Sequence, residues 1–250
     1  MHIHLPKPLH GWREFAGEVG IIVVGVLIAL GAEQLVESVD WHHRRGLAEN
    51  AMREELGNDD GVMASALLAR THCVDQMLDR AENAILSGSR PQLADAMNAI
   101  SPLDLRFDQT AWDAASSSQA LTHGRTDSTL AWAKPYTYVS AINAAFDNYQ
   151  EHIAMLSAST RGSAPMALVE QRDALVAAAA ARQDAGRVMR GSAAFLSQLR
   201  VLNIPVNNQD VGTVMRSFRR QMGACVIDPR NTDLLSFRTP EARTAGPHAR

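Results

Sequence analysis

The chain has 250 residues, with 24 lysines and arginines against 27 aspartates and glutamates, so its formal net charge is -3. This balance argues against nucleic acid as a partner, because nucleic-acid-binding domains concentrate positive charge. Aromatic residues make up 5% of the chain, and runs of β-branched residues are confined to one N-terminal stretch. The composition therefore favours helices over strands and predicts an all-α fold.

The first element is an uncharged run of fourteen residues, 19–32. A helix of that length covers only about 21 Å, less than the roughly 30 Å of a membrane's hydrocarbon core. Trp12 and Trp41 flank the run about 43 Å apart along a helix, which matches the two headgroup zones where tryptophan is enriched. We expect an uncleaved single-pass transmembrane anchor over 12–41, preceded by a short N-terminal segment, 1–11.

A cleaved signal peptide and a buried core helix also fit a run of this length. Residues 29–31 form a passable cleavage site, but the segment before the run is long and carries Glu14 and Glu18. The lysines and arginines near the two ends of the run are nearly balanced, so they set the orientation only weakly. We expect the short N-terminus inside a bacterial inner membrane and the large C-terminal domain in the periplasm.

Two carboxylates, Glu18 and Glu33, bound the uncharged run, each about 11 Å from its midpoint and at the edge of the hydrocarbon. Charged groups at this depth are costly and are often functional or paired, although both side chains also have the length to reach the headgroup zone. Gly17, Gly25 and Ala29 share much of one helix face, with a spacing that permits close approach of a second spanning helix. These residues predict helix packing inside the membrane.

Beyond the anchor, apolar residues recur every eleven positions in two series. The series are Trp41, Met52, Met63, Val74, Ile85 and Leu56, Leu67, Leu78. Eleven residues over three turns correspond to a nearly straight helix. We therefore expect one long helix as far as about Leu86, with a weak point at 57–61 (GNDDG), where helix propensity is low.

The rest of the chain predicts further helices separated by glycine, proline and serine. The expected helices are 91–100, 109–121 capped by Asp108, one that starts or kinks at Pro135, 165–201, and a last one ended by Gly223. The third of these carries a seven-residue seam for packing against a partner helix: Val139, Ile142, Phe146, Tyr149, Ile153 and Leu156. Long antiparallel helices with short connections predict a helical bundle over 42–227. We expect the tail, 228–250, to be disordered.

No recognised chemical motif occurs in the sequence: it lacks a zinc HExxH, a CxxC, a glycine-rich phosphate loop and a calcium loop. We therefore expect no enzymatic activity, no cofactor and no metal.

Cys73 and Cys225 are the two cysteines, and they would form one disulfide if the domain is periplasmic. Two unpaired buried thiols are the alternative.

The anchor carries Gly17-Glu18, the aliphatic run 19–24, Gly25 and Ile28-Ala29-Leu30. This pattern resembles the N-terminal signature of an uncharacterised bacterial family of single-pass membrane proteins, a domain of unknown function. The resemblance covers about thirty residues, and the family's tryptophan follows the anchor sooner than Trp41 does. It implies a single-pass topology and no catalytic role.

These observations lead to an expected function. The chain is a membrane protein that contacts lipid and acts as a structural or protein-interaction module or as an accessory subunit of a membrane complex. Its partner is a second copy of the chain or another membrane protein. The alternative is an extracytoplasmic sensor domain for a small ligand, which would need a cavity lined by converging polar side chains.

Overall fold

The structure is a computed structural model that describes residues 11–98, 106–124 and 126–228. Every regular element in these ranges is a helix, and no strand occurs in them, which confirms the all-α prediction. The elements are α1 (Trp12–Glu54), a π-helical segment (Glu55–Asp60), α2 (Gly61–Ala69), α3 (Thr71–Leu86), α4 (Arg90–Asn98), α5 (Thr110–Ser117), α6 (Thr126–Ala158), α7 (Leu168–Val201), α8 (Asn208–Met222) and a 3-10 turn (Gly223–Cys225). Residues 1–10 of the short N-terminal segment and residues 229–250 of the predicted tail lie outside the described residues.

The chain divides into two compact units, with the boundary between Leu47 and Ala48. In the first unit, the large apolar side chains of the uncharged run are exposed, from 41% for Val19 to 76% for Ile21. One helix, which includes this run and extends from Phe15 to Ala69, is long and apolar enough to cross a membrane. A long apolar N-terminal helix therefore continues into a helical bundle, as the sequence predicted.

In the second unit, α6 and α7 form a long antiparallel pair. Five of the six seam residues of α6 are buried and Ile153 is half-buried, so the predicted seam is the packing face. The facing surface of α7 is rich in small residues, and a Cβ at Gly191 would lie 2.7 Å from Cγ1 of Ile142. Small side chains bring the two helix axes close together, and α2 and α3 pack on the same helix pair.

The expected long helix does not reach Leu86, and this part of the prediction is wrong. The helix ends at Ala69, because Arg70 has φ -96° and ψ 0° and breaks the run before α3 begins at Thr71. The Arg70 side chain is buried, with its guanidinium carbon 5.0 Å from the ring centroid of Phe218. Tertiary packing around Arg70, and not a glycine or a proline, accompanies the break.

Other helix boundaries differ by a few residues from those predicted. α6 begins at Thr126, so Pro135 lies inside the helix and does not start it. α7 begins at Leu168, where Oε2 of Glu170 accepts a hydrogen bond from the Ala167 amide. α8 ends as predicted at Gly223, whose φ of +77° is a conformation that glycine adopts at low cost.

Candidate functional site

The sequence GNDDG, predicted to be a weak point of the long helix, lies in and beside the π-helical segment. π-Helices are rare and occur frequently at functional sites. Glycine permits close packing here: a Cβ at Gly57 would lie 2.6 Å from the carbonyl oxygen of Pro205, and one at Gly61 would lie 2.9 Å from Cγ2 of Val206. The amide of Asn207 also donates to the Gly57 carbonyl over 3.3 Å. The segment is therefore held tightly against the α7–α8 connection.

Glu55 begins this segment, and its side chain is buried against α5 and α6. Its Oε1 accepts a hydrogen bond from the hydroxyl of Tyr136 at 2.8 Å, and its Oε2 accepts one from the amide of Ala111 at 2.8 Å. Glu55 is 8% exposed and Tyr136 is 3% exposed. Both carboxylate oxygens are thus satisfied by donors from two other helices.

Asp60 ends the same segment, and its carboxyl group is less well satisfied. Oδ1 accepts a hydrogen bond from the amide of Asp108 at 2.9 Å, whereas Oδ2 is buried without a hydrogen-bond partner among the described residues. Burial raises the pKa of Asp60 to about 8, and the nearby carboxylates of Glu55, Asp108 and Asp59 act in the same direction. Asp60 therefore holds a proton at neutral pH.

Asp108 shows the opposite behaviour, although its amide contacts Asp60. Its Oδ1 accepts hydrogen bonds from the hydroxyl and the amide of Thr110 and from the amide of Gln109. The Thr110 hydroxyl, followed by these amides, lowers the pKa of Asp108. Asp108 thus supports the start of α5, as predicted from the sequence. The two aspartates hold opposite protonation states at neutral pH.

Aromatic and amide contacts fix the loop that carries Asp108. Trp112 stacks on Tyr136 with 5.2 Å between ring centroids. Asn143 of α6 accepts a hydrogen bond from the amide of Phe107 and donates one to its carbonyl, each at 3.0 Å. The arrangement is a buried acidic cluster on a π-helical segment that packs tightly against its neighbours.

The residues that the sequence singled out in the anchor are exposed in the structure. Trp12, Gly17, Glu18, Gly25, Ala29 and Glu33 all present exposed surface. A Cβ added at Gly17 or at Gly25 would have no atom within 4 Å. Trp41 is half-buried, and its indole nitrogen donates to Glu37 over 3.3 Å. The roles expected of these residues involve lipid and a second helix, and they stay predictions.

The two cysteines are joined. Cys73 of α3 and Cys225 of the 3-10 turn form a disulfide, with 2.09 Å between their Sγ atoms and 152 positions between them in the chain. Next to the bond, the amide of Ile227 donates to the carbonyl of Ala69 over 2.9 Å. A small separate core surrounds this contact and consists of Val62, Ala69, Val211, Met215 and Val226. The disulfide therefore ties the segment after α8 to α2 and α3.

The acidic cluster was missed from the sequence, although a signal for it existed. Asp60 follows Leu56 by four positions and precedes Leu67 by seven, so it shares the buried stripe of the long helix. An aspartate in such a stripe is unusual, because buried carboxylates require partners. Pairing of Glu55 with Tyr136 across 81 positions had no local signal.

No group of three or more histidine, cysteine, aspartate or glutamate side chains within the described ranges is arranged to hold a metal ion. The chain shows no significant match to protein-family models, to curated protein sequences or to solved structures.

Proposed function

We propose that this chain is a single-pass inner-membrane protein whose helical bundle lies in the periplasm and serves as a structural or protein-interaction module. In this role it associates with itself or joins a larger membrane complex as an accessory subunit. The observation that carries the proposal is the exposed apolar surface of the uncharged run, on which Ile21, Leu27 and Ile28 are each more than 60% exposed. Burial of one such side chain stabilises by about 1.5–3 kcal/mol, so this surface favours lipid strongly over water.

The disulfide supports the periplasmic location of the bundle. Disulfides form and persist in oxidising compartments such as the bacterial periplasm, and they are rare in the cytosol. The bond between Cys73 and Cys225 lies in the second compact unit, so it favours the oxidising side for that unit. The expected orientation therefore has the N-terminus inside.

The anchor supports association with another spanning helix. Gly17 and Gly25 have open space around them, and with Ala29 they provide the small side chains that allow a second helix to approach closely. Glu18 is exposed at the edge of the expected hydrocarbon zone, and a polar group on a neighbouring helix would lower the cost of placing a carboxylate there. The resemblance of these residues to a single-pass family signature agrees with this topology.

Crosslinking of the full chain in native membranes tests the proposal. We expect a crosslinked species that decreases in Gly25→Leu and in Glu18→Gln. Gly20→Leu is the matched control, because Gly20 also has open space around it but lies about 140° from Gly25 around the helix. A monomeric, partner-free chain, or an equal effect of Gly20→Leu and Gly25→Leu, would contradict the interaction role.

The orientation has a separate test. In cells that oxidise periplasmic thiols, Cys73 and Cys225 should resist alkylation until a reductant is added. In cells that lack this oxidation, both thiols should react with a reagent that does not cross the inner membrane. Reaction only with a membrane-permeant reagent would place the bundle in the cytoplasm and overturn the assignment.

A further inference from the structure

We propose that Asp60, together with Glu55 and Tyr136, forms a proton-binding site that keeps the π-helical segment closed against the loop before α5. Binding of one proton closes the segment, and its release at alkaline pH opens the segment. This inference concerns the second compact unit alone and does not depend on the proposed membrane function.

The Asp60 carboxyl group is buried with one of its oxygens unpaired in the described part of the chain. The residue is 2% exposed, and Oδ2 has no hydrogen-bond partner in the described part of the chain. An ionised carboxylate at this position would need a cation or several donors to offset its desolvation. The described hydrogen bond to it is the one from the Asp108 amide, so the site suits the neutral carboxyl group.

The charge of the surroundings acts on the same group. On the segment itself Asp60 faces Glu55 and Asp59, and from the loop before α5 it faces Asp108. From α6 comes the phenol of Tyr136, which donates a hydrogen bond to Glu55. α2 carries no titratable side chain, and the α7–α8 connection contributes Ile204, Pro205 and Val206. These side chains are acidic or apolar and disfavour a charge on Asp60, and the Asp108 amide is the one group named here that favours it.

The site is also rigid. Gly57 and Gly61 bring the helix backbone against Pro205 and Val206, and neither contact leaves room for a shift toward the connection. The Asp60 carboxyl group meets the loop before α5 through the Asp108 amide, so it reaches water when the segment separates from that loop. Ionisation of Asp60 and opening of the segment are thus coupled, and the hydrogen bond from the Asp108 amide to Oδ1 of Asp60 breaks in the open form.

The direction of the pH effect follows from the shifted pKa. The folded state holds the Asp60 proton up to about pH 8, whereas the unfolded chain releases it near the ordinary aspartate pKa of 3.8. A raised folded pKa contributes stability that is fully present below the unfolded value and is lost as pH rises through about 8. The closed form of the segment is consequently less stable, relative to the open form, at pH 9 than at pH 6.

Hydrogen exchange on the full chain in detergent, expressed as protection factors, tests the proposal. Between pH 6 and pH 9, linkage between a pKa of about 8 in the closed form and 3.8 in the open form predicts that protection of amides 55–61 and 108–111 falls about a hundredfold. Asp60→Asn should show less than about a twofold change, because it has no proton to lose. Glu54→Gln is the matched control, since Glu54 is exposed beside the segment and is not among the groups that act on Asp60, and it should keep the wild-type response.

The proposal is overturned if wild-type protection does not change with pH, or if Asp60→Asn responds as the wild type does. If Asp60→Asn does not fold, a second measurement on the wild-type chain tests the proposal. The carboxyl carbon of Asp60 is titrated by NMR in the wild-type chain, and we expect its midpoint near 8. A midpoint in the ordinary range of aspartate would reject the proton-binding site.

Discussion

The hydroxyl of Tyr136 donates a hydrogen bond to Oε1 of Glu55 over 2.8 Å and so joins α6 to the π-helical segment across 81 positions of the chain. Burial, the hydrogen bond to Glu55 and the charge of that carboxylate all raise the pKa of Tyr136 far above its usual value. The phenol therefore keeps its proton and remains a donor throughout the pH range in which proteins are folded.

Tyr136→Phe should destabilise the bundle through Glu55. The substitution removes the hydroxyl but keeps the ring that stacks on Trp112, so Oε1 of Glu55 stays buried without its donor. Loss of one partner of a buried acceptor costs about 1–3 kcal/mol, which urea unfolding measures. Tyr138→Phe is the control on the same helix, because Tyr138 is only half-buried, and it should change stability by less than about 0.5 kcal/mol. Equal effects of the two substitutions would refute the importance of this hydrogen bond.

Gly57→Ala should also destabilise, for a steric reason. The added Cβ would lie 2.6 Å from the carbonyl oxygen of Pro205, which is a backbone atom and cannot rotate away. Overpacking of this kind costs about 1–3 kcal/mol. Gly212→Ala is the matched control inside α8, where the new Cβ meets Nη1 of Arg216 at 3.6 Å, and it should stabilise by up to about 1 kcal/mol. The prediction fails if the unfolding free energies of both variants shift in the same direction.

The sequence predicted the parts of the fold that depend on a local period. The seam from Val139 to Leu156 is buried because a seven-residue repeat places those side chains on one face of α6 whatever they pack against. The break at Arg70 was not predictable in this way, since no glycine or proline marks it and its side chain packs over Phe218, which is 148 positions away. Helix propensity is a weak preference that tertiary contacts override.

The acidic cluster was hidden for a related reason. Low helix propensity drew attention to residues 57–61, but propensity describes the backbone and not the burial of side chains. The position of Asp60 in the buried stripe was visible, whereas its contact with Asp108 depends on a loop that joins the bundle from elsewhere in the chain. The position of a polar residue in an apolar repeat indicates that its side chain is buried. Only the fold shows which groups donate hydrogen bonds to that side chain.

Loss of the disulfide should weaken the attachment of the C-terminal segment. The bond between Cys73 and Cys225 closes a loop of 152 residues and lies beside the small core that includes Val226. Removal of a native disulfide costs typically 2–5 kcal/mol, so Cys73→Ser with Cys225→Ser should lower the free energy of unfolding by about that amount. Trypsin should then cut faster after Arg219 and Arg220, which are exposed on α8.

Reductant provides the control for this prediction. Dithiothreitol should destabilise the wild-type chain to the level of the double serine variant and should leave that variant unchanged. If the oxidised and reduced wild-type chains unfold at the same denaturant concentration, the disulfide does not hold the segment.

Asp108 should make stability depend on pH in the direction opposite to Asp60. The hydroxyl of Thr110 and the amides of the first turn of α5 lower the pKa of Asp108, so its contribution is present above the unfolded value and is lost as pH falls through the folded value. Asp108→Ala removes an acceptor at a helix start and should cost about 0.5–2 kcal/mol at pH 7. The loss of unfolding free energy in Asp108→Ala should become smaller as the pH is lowered to about 3, because the wild-type carboxylate is then increasingly protonated.

Asp108→Asn separates charge from hydrogen bonding at the same position. The amide oxygen of asparagine can accept the hydrogen bonds from Gln109 and Thr110, so this variant should lose less stability than Asp108→Ala at pH 7. The difference in unfolding free energy between Asp108→Asn and the wild type is the contribution of ionisation. This contribution should disappear at low pH. Urea unfolding of the three chains between about pH 3 and pH 7 measures both parts. A deficit of Asp108→Ala that stays constant over this range would show that the carboxylate acts at α5 through its shape alone.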